Sequence, residues 1–205
     1  MLTKTLPSQL PQHKVTIWEV LITVVSAIAI VSAGLIGLSL KFMLHASEPR
    51  RVEAISDNIM TYQVPGGVRG EFGINFAGAK IALLGNRPQG VKLLVARVPV
   101  NAGTDKRQLE QALENGFLAR TEEAFAVSNS RTETRSLCGS SVPVQVTEGQ
   151  LTDPNQNDPR PAIQYKASVN VADRRYVIRI VTRGQNAKPK AEKIFESLDC
   201  KQPQL

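Results

Sequence analysis

Two histidines, two cysteines, a glycine-rich stretch and a run of cations hold most of the chemistry this chain offers. His13 and His45 both flank an apolar run near the N-terminus, so everything after residue 45 lacks histidine. That removes Ser–His and Cys–His nucleophile pairs, and any imidazole-ligated metal, from the rest of the chain. Cys138 and Cys200 are the only cysteines. An even pair fits one disulfide in an oxidising compartment, and the alternative is two buried thiols. Carboxylates and lysines remain, but no pair stands out at a catalytic spacing. The expectation is a non-enzymatic protein with no catalytic, cofactor-binding or metal-ligating residues.

The segment "PGGVRGEFG" carries Gly66, Gly67, Gly70 and Gly73. A phosphate-cradling loop needs its glycines between a strand and a helix start. Here the loop leads into "INFAGAKIALL", which reads as strand, and neither G-x-G-x-x-G nor a following G-K-[ST] is present. A turn requiring positive φ explains the glycines, with a flexible contact loop as the functional alternative. "DPNQNDPR" spaces Asp153, Asn155 and Asn157 as a calcium loop does, but Asp158 and Gln164 stand where an EF-hand needs glycine and glutamate. It reads as a polar surface loop. Arg174, Arg175, Arg179, Arg183, Lys188, Lys190 and Lys193 fall within twenty residues, opposed by Glu192. From Ala46 onward 22 Lys/Arg stand against 17 Asp/Glu, a net charge of +5. Such a basic face fits anionic lipid headgroups or an acidic protein surface, or is simply solvated. Without interleaved aromatics it does not point to nucleic acid.

The elements that must position these residues begin with the apolar run. Between Glu19 and Lys41 no residue is charged, which leaves 21 residues from Val20 to Leu40. A helix of that length is about 31 Å long, the thickness of a bilayer's hydrocarbon core. Trp18, Lys41 and Phe42 suit the two interfaces. Signal peptides have shorter apolar cores of about 7–15 residues, and the cleavage-like "LHAS" lies far past this run. "VTIWEVLITVV" resembles the type IV pilin N-terminus, with Glu19 as the fifth residue after a cut at Lys14. Prepilin peptidase expects glycine there, however, and Pro49 follows the membrane run closely. An uncleaved anchor is the expectation, and a mature chain starting at Val15 would be the mark of the pilin reading. Along the span Ala29, Ala33 and Gly37 recur every four residues, a small-residue stripe on which another helix can pack closely.

Beyond the anchor, the expected organisation is a tail over residues 1–18, a transmembrane helix over 19–42, a tether over 43–56 and one α+β domain over 57–201. "AKIALLG" and "VKLLVARVPV" flank the turn "NRPQG" as a hairpin. Leu109, Ala112, Leu113 and Phe117, behind Thr104 as N-cap and Asp105, predict a helix. Strand alternation returns with Val142, Val144 and Val146, then with Ile163, Tyr165, Ala167, Val169 and Val171, then with Tyr176, Ile178 and Ile180. Ala191, Ile194, Phe195 and Leu198 make one face of a closing helix. Hairpin-linked strands with two helices give an antiparallel sheet covered by helices.

"AISDNIMTYQVPGGVRGEFG", the helix after a strand hairpin, and "AEKIFESL" resemble membrane-anchored bacterial and cyanobacterial proteins of unknown function. Their soluble part is similar to the photosystem II extrinsic subunit PsbP and its relatives. The resemblance covers roughly residues 52–200. It implies an α/β/α sandwich and a non-enzymatic binding or assembly role, and it transfers no functional residue, because no PsbP binding motif matches position by position. The combined expectation is a single-pass protein with a cytoplasmic N-terminus and its domain in a periplasm or thylakoid lumen. Its expected role is accessory or assembly subunit of an integral-membrane complex. A pilin-like filament subunit, a lipid- or ligand-binding module and a carboxylate-dependent enzyme are the alternatives.

Overall fold

The computed structural model describes residues 17–100, 124–152 and 158–201, and it divides into two units, residues 1–43 and 44–205. The first consists of most of helix α1 (Ile17–Ala46), 30 residues long. Its segment Ile17–Leu38 is long and apolar enough to cross a membrane, and none of it is buried. Thr23 turns its hydroxyl back onto the Glu19 carbonyl at 2.7 Å, which satisfies a polar group that lipid cannot. Ala29, Ala33 and Gly37 are all exposed along this helix.

The second unit opens with α2 (Pro49–Asp57), then β1 (Met60–Thr61), β2 (Arg69–Phe76), β3 (Ala79–Asn86) and β4 (Val91–Pro99). It continues with β5 (Ala124–Leu137), β6 (Ser140–Thr152), β7 (Pro159–Val171), β8 (Arg174–Arg183), α3 (Ala187–Glu196) and β9 (Asp199–Cys200). Among the described residues seven strands form one antiparallel sheet in the order β2-β3-β4-β8-β7-β6-β5, and β1 pairs with β9 apart from it. The fold is α+β. The expected helix over Leu109, Leu113 and Phe117 and all of the stretch Asp153–Asn157 lie outside the described residues.

Period-two alternation puts one set of side chains under the helices. Val144, Val146, Ile163, Tyr165, Ala167, Val169, Tyr176, Ile178 and Ile180 form a single cluster with Val52 and Ile55 of α2 and with Ala191, Ile194 and Phe195 of α3. The other face of the sheet is also apolar at its centre, where Leu83, Leu94, Ala162 and Val181 cluster. Arg179 lies buried on that face, its guanidinium donating to Gln164 Oε1 at 2.8 Å.

Two expectations are corrected. The supposed tether over 43–56 contains α2, with Pro49 in its first turn and Val52 and Ile55 buried. A nine-residue helix with only two large apolar side chains, Val52 and Ile55, leaves a weak trace in the sequence, and its two arginines disguise it. Likewise "INFAGAKIALL" is two strands rather than one. Ala77 and Gly78 turn the chain at φ 49° and 79°, the left-handed pair that a two-residue hairpin needs.

Helix α2 rests on β2 because Gly70 and Gly73 have no side chains. A Cβ on Gly70 would stand 2.5 Å from Val52 Cβ and 2.6 Å from the Pro49 carbonyl oxygen, whereas one on Gly73 would meet Ile55 Cδ1 at 3.1 Å. Gly70→Ala should therefore destabilise the domain by about 1–3 kcal/mol, with Gly73→Ala milder. Thermal unfolding followed by circular dichroism checks this, and an unchanged midpoint for Gly70→Ala would mean α2 does not pack as described.

Candidate interaction site

The sheet has two ends with different chemistry. At one, the β5–β6 turn carries Cys138, which is bonded to Cys200 of β9 with a Cα–Cα distance of 5.2 Å. At the other end lie the β3–β4 turn, the start of β7 and the connection from β8 to α3.

This second end gathers the loop Gly66–Gly67, where both residues have positive φ (76° and 71°). Asn86 at the end of β3 holds that loop, its amide donating to the carbonyls of Gly66 at 3.1 Å and Gly67 at 2.6 Å. The Asn86 side-chain oxygen also accepts from the Gln89 N–H at 3.1 Å, so one residue ties the loop to the β3–β4 turn. Between them runs an open groove of about 720 Å³, lined by Pro49, the two loop glycines, Arg69, Glu71 and Arg87 among others. Beside it, sharing Arg87 and Pro88, is a smaller pocket of about 300 Å³ whose lining includes Arg160, Arg183 and Lys190.

The four glycines singled out in the sequence therefore divide. Gly66 and Gly67 form the expected turn at the groove, while Gly70 and Gly73 belong to β2 and lie beneath α2. The cations divide as well. Arg174 and Arg175 start β8 and Arg183 ends it, a separation of about 30 Å along the strand. Arg179 between them is buried. Of the seven, Arg183 and Lys190 come together, and they do so with Arg87 and Arg160, which lie far away in sequence. Lys188 and Lys193 sit elsewhere on α3. No sequence signal could have joined Arg87 to Arg183, because antiparallel pairing of β3, β4 and β8 creates that neighbourhood.

A second charged group lies on the helix-covered side of edge strand β5. Glu133 accepts from Arg131 Nε at 2.7 Å and from Arg135 at 2.6 and 2.9 Å, and Arg131 also reaches Glu148 at 2.6 Å. The Arg135 guanidinium lies 5.1 Å from the Tyr165 ring centroid. Hydrogen bonds from Arg131 and then Arg135 hold the Glu133 carboxyl below its ordinary value, while burial pushes the Tyr165 hydroxyl up. Inward charges of this kind protect an edge strand from pairing with other chains. Among the described residues no group of His, Cys, Asp and Glu is arranged to hold a metal ion.

No protein-family model matches the chain, and no curated protein does. Among solved structures it is similar to LpqN, described as involved in cell envelope biogenesis of Mycobacterium tuberculosis. The TM-score is 0.41 at 12% identity, covering 70% of this chain and 83% of LpqN.

Reducing the Cys138–Cys200 bond, which closes a separation of 62 residues, should lower stability by about 4 kcal/mol by the chain-entropy relation. Urea unfolding with and without reductant measures the difference, and coincident curves would show that the bond contributes nothing. Glu133 has a lowered folded pKa, so its contribution is present above its unfolded value of 4.5 and is lost as pH falls through the folded value. The stability gap between wild type and Glu133→Gln should therefore narrow as pH drops below 4.5. A gap that stays constant across that range would assign no ionic role to Glu133.

Proposed function

We propose that this is a single-pass membrane protein whose extracytoplasmic α+β domain is a non-catalytic accessory or assembly subunit of a membrane protein complex. One observation carries the reading. The groove and the cationic pocket are both gathered at the end of the domain that contains Pro49, and in the chain Pro49 is only eleven residues past Leu38, the last residue of the apolar span. A short stretch of chain thus tethers the domain that bears both surfaces to the span, within reach of a partner embedded in the same membrane. The disulfide supports an oxidising compartment outside the cytoplasm. The exposed stripe Ala29, Ala33 and Gly37 would supply a second contact, helix against helix. The PsbP resemblance, which rests on sequence signatures alone, points the same way.

A second reading, a ligand-binding module, is favoured by the volume of the groove, about 720 Å³, which falls in the range of small-molecule sites. The pilin-like reading is weakened by the end of α1 at Ala46 and the separate start of α2 at Pro49, since pilin stems continue as one helix.

Native separation of mildly solubilised membranes tests the proposal. The chain should migrate with a larger defined assembly, and replacing Ala29, Ala33 and Gly37 together with leucine should release it. Migration alone, near its own 22.4 kDa plus detergent, would overturn the subunit reading and leave the ligand-binding one.

A further inference from the structure

We propose that the pocket between the β3–β4 turn and the start of α3 is a binding site for a phosphate group carried by an anionic ligand. This goes beyond the subunit reading and does not depend on it, since the pocket would serve a free domain equally well.

Three separate stretches of chain build the pocket, and the main chain fixes them to one another. The Arg183 N–H donates to the Gly90 carbonyl at 2.9 Å, and the Gly184 N–H donates to the Pro161 carbonyl at 2.8 Å. The Lys190 ammonium donates to the Gln89 carbonyl at 2.6 Å, which ties the first turn of α3 to the β3–β4 turn. Gly90, at φ 62°, has no Cβ where the Arg183 side chain passes, so that side chain lies close against the turn. The concavity is therefore a product of the fold.

Its charge is one-sided. Arg87, Arg160, Arg183 and Lys190 line it, and among the described residues no acidic one does. Asp158, outside the lining, pairs with Arg160 at 3.1 Å and offsets part of that charge. The first turn of α3 contains no acid, and it places Lys188 and Lys190 at the positive end of the helix dipole, where lysine is unfavourable. An anion in the pocket would offset the unfavourable placement of these lysines at the helix start. Its shape chooses among anions. One arginine fork satisfies a planar carboxylate, whereas cations arriving from several directions suit the tetrahedral oxygens of a phosphate. At about 300 Å³ the space takes a headgroup-sized phosphate ester and excludes a folded protein element.

The phosphate has two possible sources, a membrane lipid or a soluble phosphate ester. The test uses the full chain, once in detergent with inorganic phosphate or glycerol phosphate added, and once in nanodiscs of phosphatidylcholine with or without phosphatidylglycerol. Hydrogen exchange of residues 87–90 and 184–190 is the readout. Protection in detergent assigns a soluble ester, and protection only with phosphatidylglycerol assigns a lipid headgroup. Arg87→Glu with Lys190→Glu should weaken the response about tenfold or more, the loss expected when charge-assisted contacts are removed. Arg174→Glu with Arg175→Glu, an equal charge change at the far end of β8, should leave it nearly intact. Should the first pair prevent folding, Arg87→Ala at an exposed position should still weaken it. No protection from any phosphate source, or equal losses from the two double variants, would overturn the proposal.

Discussion

The domain is closed by an embrace between its two ends. Residues of β1, just after α2, pair with β9 near the C-terminus, Met60 opposite Cys200 and Thr61 opposite Asp199. The Lys201 N–H continues the ladder onto the Ile59 carbonyl at 3.0 Å, and the Tyr176 hydroxyl donates to the Lys201 carbonyl at 2.8 Å. Cys200 is then bonded to the β5–β6 turn. A two-stranded ribbon is marginal alone. Here it is flanked by α2 and α3 and tied to two different strands of the sheet, so it holds both helices over the same face. The arrangement of every site at the opposite end depends on α2 and α3 being held in this way.

Much of the sheet was legible because burial on one face leaves a period-two trace. Ile163, Tyr165, Ala167 and Val169 could be placed together from spacing alone, and they share one core cluster. The closing helix was legible for the corresponding reason at period 3.6. Short elements were not. Helix α2 exposes Arg50 and Arg51 and contributes only Val52 and Ile55 to the core, too little signal to separate from a charged linker. The Ala77–Gly78 turn lacks the usual Asn-Gly or Asp-Gly pair, so the hairpin it makes read as a single strand. The glycines of "PGGVRGEFG" were recognisable as positions needing the absence of a side chain, but two distinct needs were merged. Gly66 and Gly67 require left-handed backbone, whereas Gly70 and Gly73 require room for a helix. The cationic pocket was half legible, since Arg183 and Lys190 are close in sequence while Arg87 and Arg160 are brought in by strand order.

The charges of the domain follow two regimes. On β5, arginine and glutamate alternate along one face and are bonded to each other and to Glu148 on the neighbouring strand. Such a lattice is nearly neutral, strengthens the rim of the core and offers a visiting anion little. In the pocket at the loop end, cations from three stretches converge, and among the described residues no carboxylate joins its lining. The same residue types thus serve self-protection at one place and line a concavity at the other, and the difference lies in how closely acids are interleaved with them.

The late position of β9 has a consequence for how the protein is made. The ribbon joins residues 138 apart in sequence, as Thr61 and Asp199 are. The seven-stranded sheet contains neither partner, so the ribbon and the sulfur link are fastened only once Asp199 and Cys200 are in place. Pairing of β9 with β1 and closure of the Cys138–Cys200 bond therefore belong to one step, since both act through Cys200. A chain lacking Cys200 and Lys201 would lose the sulfur link, the rung onto Ile59 and the Tyr176 contact together, so one short strand carries three of the domain's fastenings.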